Sequence, residues 1–356
     1  MSSSPSGPLL DATDSDSDSD FEQYSISLSS ASLPLDPTVR GHARASSTEV
    51  IYNSLVSVPL VFMHMMKSAK FEYSRCTGNR KAVCIGINYS GFETGYDVLK
   101  GCIKDALRMR DYLLDHENFS EDNIRLLVDE ATSIPHLMPT RQNILEAIRW
   151  LVEGAQENDT LVFHYAGHAD QVDDTDKDEI DGKDEALVPS DYSDKKDYIT
   201  DDVIYKELVL SLPVGCRLTA IMDCCTSGTI LDPPFVYRSA SRLTKKYKGG
   251  AVAHRPRTMT KRLPTQICPD VAVWASCKDS DSAFDKDTLT NAFVDSMTSA
   301  KMDNRPSYEA MLQSLRNKVR RKIPHTGKKP KPQFGTYRPY SSEDMARTFF
   351  ITSHDV

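Results

Sequence analysis

Two side chains in this sequence could make a nucleophile and its base. His168 stands in His164-Tyr165-Ala166-Gly167-His168, and Cys225 in Asp223-Cys224-Cys225-Thr226-Ser227-Gly228. A thiolate attacks a carbonyl where a thiol does not, and a neighbouring imidazolium lowers the thiol's ordinary pKa of about 8.5. His168 would take the thiol proton and later return it to a leaving amine. Strand alternation points Cys224 and Cys225 to opposite sides, so only one can face the His. Cys225, followed by the exit turn Thr226-Ser227-Gly228, is the candidate nucleophile, and Cys224 a packing residue. The backbone N–H groups of Cys225 and of Ala169, just past Gly167, would form an oxyanion hole. Asp223 lies on the same side as Cys225. In a peptide cleft it would draw a cationic side chain and favour Lys or Arg at the cleaved residue. An ion pair or a cap is the alternative reading of Asp223 from position alone.

Each motif ends an apolar run, Leu161-Val162-Phe163 and Leu218-Thr219-Ala220-Ile221-Met222. Such runs predict buried strands of a parallel sheet. Open α/β sheets bind ligands beyond the carboxyl ends of their strands, where both motifs fall. From Lys81 onward strand and helix patterns alternate. Strands are predicted at Ala82–Ile87, Ile124–Val128, Val271–Ala275 and Phe334–Tyr337. Helices are predicted at Ile103–Asp115, after a Thr140 N-cap through Gly154, from an Asp201 or Asp202 cap through Leu212, and near 289–301 and 307–322. Repeated βα units imply an α/β fold, a mostly parallel sheet with helices on both faces.

Composition bounds the setting. The 356 residues suffice for one large α/β domain with extensions, and a net charge of −8 argues against a general nucleic-acid binder. The eight Cys lack regular spacing and several lie in apolar runs, which fits a reducing compartment, cytosol or nucleus. No signal peptide and no membrane span are predicted. Residues 1–46 are rich in Ser, Asp and Pro and read as a disordered acidic tail. Residues 47–77 read as a pro-segment packed on the domain. Residues 78–237 form a larger catalytic region, 238–266 a basic, cleavable linker, and 267–356 a smaller region. A second charged loop, 170–202, is crowded with Asp and Glu against four Lys. Asp174, Asp176, Asp178 and Glu185 fall where an EF-hand has ligands, but Glu179 occupies the place of its required Gly, which rules that motif out. Scattered carboxylates there could hold Ca²⁺; a solvated acidic loop is the plainer reading of the charge.

At these residues the chain resembles the type I metacaspases, caspase-like cysteine proteases of plants, fungi and protists. The likeness runs from about Arg80 to Thr352. It rests on Lys81-Ala-Val-Cys-Ile-Gly-Ile-Asn-Tyr89, Leu99-Lys-Gly-Cys-Ile-Lys-Asp105, both motifs above and Ser276-Cys-Lys-Asp279. The caspase pattern also sets its His about 50 residues before the Cys. The resemblance implies a caspase-like α/β sandwich, a His168/Cys225 dyad and cleavage after Arg or Lys. It implies a pocket for the basic side chain made by Asp105, Asp223 and Cys102. It further implies activation by Ca²⁺ held on Asp184, Asp201, Asp202 and Asp232, a monomer, self-cleavage in the basic linker, and roles in cell death and protein clearance. Two departures stand out. The family's Ser-Gly-His-Gly is Ala166-Gly167-His168-Ala169 here, and its His after the nucleophile is Thr226. Ala166 removes a hydroxyl near the basic pocket. A positive φ at Ala169 would cost about 1 kcal/mol or more. A weakened or silent homologue acting as scaffold or regulator is the competing expectation.

Overall fold

Apolar runs of Val, Ile, Leu and Ala become strands because their side chains can be buried on both faces at once. In the computed structural model they are β1 (Arg80–Gly86), β2 (Ile124–Val128), β3 (Thr160–Ala166), β7 (Arg217–Asp223) and β9 (Asp270–Ala275). The structure describes residues 71–91, 94–130, 134–173, 183–224, 230–231, 233–237, 269–276, 288–299, 305–320 and 332–353. These all belong to one unit, Ser54–Val356.

The central sheet has the order β2-β1-β3-β7-β9-β10-β8, with β8 at Phe235–Tyr237 and β10 at Gln333–Thr336. The first five strands are parallel. β10 is antiparallel to both β9 and β8. Two apolar cores flank the sheet, as alternation along each strand requires. Leu161, Phe163 and Tyr165 of β3 join α2 (Arg141–Val152) in one core. Val162 of β3 and Ile221 of β7 join α1 (Cys102–His116), α4 (Leu289–Ser299) and α5 (Tyr308–Arg320) in the other. Helices therefore cover both faces, as the alternation of elements predicts. Thr140 is the N-cap of α2, its hydroxyl accepting from Asn143 N at 3.2 Å.

Two expectations are corrected. Residues 170–202 are not merely a loop. Ala169–Asp173 (β4), Lys183–Leu187 (β5) and Ile199–Thr200 (β6) form a three-stranded antiparallel sheet. Its buried apolar residues, Ala186, Leu187 and Ile199, were outweighed in the sequence by the surrounding charge. Neither Asp201 nor Asp202 caps a helix through Leu212. Thr200 occupies the cap position, and α3 is a short helix, Asp201–Ile204, followed by a π-helical turn, Tyr205–Val209. A short α6, Ser342–Ala346, completes the described helices.

Residues 71–77 pack on the domain. Cys76 is fully buried, Ser74 N donates to Asp270 Oδ2 at 3.1 Å, and Ser353 N donates to Cys76 O at 3.1 Å. At the amino end of the sheet, register partners Arg217 and Asp270 form a buried ion pair with side chains 3% and 1% exposed. The basic stretch 238–262 and the rejected EF-hand positions 174–179 lie outside the described residues.

Candidate active site

The strand ends set the stage. Gly86 pairs with Ala166, and Ala166 with Asp223, so β1, β3 and β7 end level at their carboxyl edge. His168 follows two residues beyond Ala166, in the turn into β4. Cys225 and Thr226 follow Asp223 in sequence and lie outside the described residues. Cys224 is 1% exposed and belongs to a hydrophobic core, the packing role expected for it. Burial pushes the Cys84 and Cys216 thiols up to about 12, which makes both poor nucleophiles.

His168 is pinned on both sides of its backbone. Its N–H donates to Tyr89 Oη at 2.9 Å, and its carbonyl accepts from Tyr165 Oη at 2.7 Å. A Cβ on Gly167 would stand 2.8 Å from Tyr165 Oη and 3.0 Å from Tyr89 Oη, so only glycine lets both hydroxyls approach. Tyr89 itself adopts φ 59, a left-handed conformation held by Asp129, whose carboxylate accepts from Asn88 N at 2.7 Å and Tyr89 N at 2.6 Å. His168 Nε2 lies 2.8 Å from the Asp97 carbonyl oxygen. A carbonyl only accepts, so Nε2 carries the hydrogen and the neutral ring keeps its lone pair on Nδ1. The ring lies between Tyr89, centroids 4.8 Å apart, and Tyr96, 5.1 Å apart. Tyr96 Oη donates to Asp170 Oδ2, as does Tyr198 Oη at 2.8 Å. Burial would raise the Asp170 carboxyl, but these two hydroxyls and the Gln171 amide hold it below the ordinary carboxylate range. Tyr89, Tyr96, Asp129 and Asp170 are supports that the sequence reading missed.

Ala169 begins β4 opposite Leu187 and is not among the residues with positive φ. The exchange of glycine for alanine therefore carries no left-handed strain there. The lost hydroxyl at Ala166 is real, since its 1%-exposed side chain is a methyl group.

Asp105 and Asp223 are each 4% exposed, and one helical turn serves both. Thr288 Oγ1 donates to Asp105 Oδ1 at 3.0 Å, and Asn291 Nδ2 at 3.2 Å. Thr290 N and Oγ1 both donate to Asp223 Oδ2 at 2.8 Å. Asp223 Oδ1 is buried and, among the described residues, accepts no hydrogen bond. Cys102 opens α1, and its N–H donates to Asn88 Oδ1 at 3.1 Å. A Cβ on Gly86 would meet the Cys102 carbonyl oxygen at 2.4 Å, so that glycine lets α1 start against the strand edge. Fully buried His164 joins this group, with Nε2 2.9 Å from Thr290 Oγ1. Burial lowers its pKa to about 4, against the opposing pull of Asp223.

Of the acidic set, Asp184 lies on β5, and Asp201 and Asp202 open α3. Asp184 and Asp201 are 4% and 1% exposed, and Asp202 follows Asp201 at the start of α3. Glu185 N donates to Asp201 Oδ2 at 3.0 Å, and Asp202 N to Asp201 Oδ1 at 2.9 Å. Carboxylate oxygens are the donors a hard cation such as Ca²⁺ takes, so the set fits in kind. Among the described residues no group of three or more His, Cys, Asp or Glu is arranged to hold a metal. Asp232, the fourth expected ligand, lies outside them.

The family model for the metacaspase, peptidase C14 domain matches residues 80–234. Metacaspase-1 of Pyricularia oryzae is 36% identical over 314 residues, covering 77% of this chain and 76% of its own. The chain belongs to the metacaspase family of cysteine peptidases. Metacaspase-1 of Cryptococcus neoformans is 35% identical over 308 residues. That match covers 76% of this chain but 65% of the relative, so the chain spans less than two thirds of that metacaspase's length. Metacaspase-1 of Ajellomyces capsulatus is 33% identical over 326 residues and is covered to 87%. The mostly parallel sheet with helices on both faces is the caspase-like α/β fold expected of this family.

Proposed function

We propose that this metacaspase is a calcium-dependent cysteine endopeptidase that cleaves after Arg or Lys. One observation carries the reading: Ala166 and Asp223 end their strands in register, and His168 and Cys225 each follow two residues later. His168 Nδ1 takes the Cys225 proton, giving a thiolate and an imidazolium. The thiolate attacks the scissile carbonyl, and the N–H groups of Ala169 and Cys225 stabilise the oxyanion. The imidazolium then protonates the leaving amine, and a water deprotonated by the same ring releases the acyl group. The Asp97 carbonyl keeps the ring in the required tautomer throughout.

Asp223 Oδ1, buried and unbonded among the described residues, supports the choice of substrate. A carboxylate oxygen left without a partner in the interior is costly, and a substrate guanidinium or ammonium would satisfy it. Asp105 and Cys102 complete this pocket. Asp184, Asp201, Asp202 and Asp232 would hold Ca²⁺, and self-cleavage would occur in the 238–266 linker. The protein acts as a monomer on peptide substrates.

The test is cleavage of a fluorogenic arginyl peptide by wild type and Cys225→Ala, with calcium or with chelator. The expected result is activity in calcium alone, lost in Cys225→Ala. A folded wild type that cuts neither arginyl nor lysyl peptides in calcium overturns the reading. Activity that survives chelation removes the calcium requirement only.

A further inference from the structure

Thr290 belongs to the region after the basic linker, yet it bonds to two residues of the central sheet. It spends both backbone N–H and hydroxyl on one oxygen of Asp223. A hydroxyl has one proton, so with that proton on Asp223 it meets His164 Nε2 as an acceptor. The bonds therefore run in one direction, from His164 Nε2–H to Thr290 Oγ1–H to Asp223 Oδ2. Among the described residues, buried His164 Nδ1 has no hydrogen-bond partner. An imidazole with half its polar capacity unmet is a poor core residue, and among the described residues its hydrogen bond is the link to Thr290. Strand alternation puts His164 on the face of the sheet that α4 covers, two residues before Ala166.

We infer that Thr290 and His164 are positioning residues that set the specificity of the pocket. They hold Asp223 by Oδ2 and so leave Oδ1 for the cationic side chain of the substrate. The inference rests on the reading of Asp223 as an acid of that pocket. A carboxylate held in this way is ordered before the substrate arrives, whereas a free one must be ordered on binding. The neighbouring Thr288 hydroxyl and Asn291 amide donate to Asp105 Oδ1.

The test compares an arginyl peptide with its neutral citrulline counterpart, in calcium, for wild type, Thr290→Val, Thr290→Ser, His164→Phe and Asp223→Ala. Loss of binding made equally in ground and transition states raises KM, so Thr290→Val is expected to raise the arginyl KM about tenfold with kcat within about twofold. The citrulline KM is expected to stay unchanged. Thr290→Ser keeps the hydroxyl and returns KM to within about twofold of wild type, and His164→Phe, which removes only the outer link, raises it about threefold. A thermal melt checks each fold, and Thr290→Ala replaces the valine variant should that one not fold. An unchanged arginyl KM in Thr290→Val, with a raised KM in Asp223→Ala, overturns the inference and leaves the pocket standing. An unchanged KM in Asp223→Ala removes the pocket reading and the inference with it. A fall in kcat that is equal for both peptides also counts against the inference, because general damage would produce it.

Discussion

His168→Ala is expected to lower arginyl-peptide cleavage by about 10³-fold or more while the thermal melt stays close to wild type. In the proposed mechanism the ring does two jobs, creating the thiolate and protonating the leaving amine, and alanine can do neither. The variant should still fold, because the turn is held by its backbone. The His168 N–H and carbonyl are bonded to the Tyr89 and Tyr165 hydroxyls, and the substitution leaves both intact. Alkylation of Cys225 by iodoacetamide at mildly acidic pH gives a second readout. It should slow in the variant, because the proposed imidazolium would no longer be there to stabilise the thiolate. Retention of a tenth or more of the activity would sink the dyad.

Asp270→Ala is expected to destabilise the domain by about 3–5 kcal/mol, because removing one partner leaves the other charge buried and uncompensated. Asp270 Oδ2 accepts from Arg217 Nε at 2.8 Å and Nη2 at 2.7 Å, and from Ser74 N at 3.1 Å. The Arg217 side chain is 3% exposed, so water cannot readily replace the carboxylate. For a domain of this size each kcal/mol moves the melting temperature by about 2–4 °C, so calorimetry should read a fall of about 10 °C. Replacing both partners by apolar residues, Arg217→Met with Asp270→Leu, should recover most of the loss. A single-variant loss under about 1 kcal/mol would contradict this account. The pair lies at the amino end of the sheet, so activity per folded molecule should hold.

Where one physical signal dominates, the sequence is enough. Apolar runs bounded by polar residues gave the five parallel strands, and helical spacing with a Thr140 cap gave α2. The level ends of β3 and β7 follow from the same runs, so the edge carrying His168 and the Asp223 segment was legible. The three-stranded sheet was not. In β4 and β5, Asp170, Asp173, Lys183, Asp184 and Glu185 mask the alternation, and burial of Asp184 and Glu185 reverses what their charge suggests. β8 is three residues long, too short for any pattern. Arg217 and Asp270 read as the polar borders of their strands, although pairing buries both. The bonds of Thr288 and Thr290 to Asp105 and Asp223 join residues far apart in sequence, and no local rule announces such pairs. Tyr96 over His168 is the same case: an aromatic in a loop gives no sign of which ring it will meet.

The order of the seven-stranded sheet has a consequence for a nicked molecule. β9 and β10, which follow the basic linker, lie between β7 and β8, which precede it. A single cut between Tyr237 and Pro269 would divide the polypeptide without exposing a new edge inside the sheet. The later fragment would remain clasped on both sides by strands of the earlier one, with the Arg217–Asp270 pair and the α1–α4 packing as further ties. Such a protein should run as two bands in denaturant and as one particle without it, so scission alone would not release a subunit.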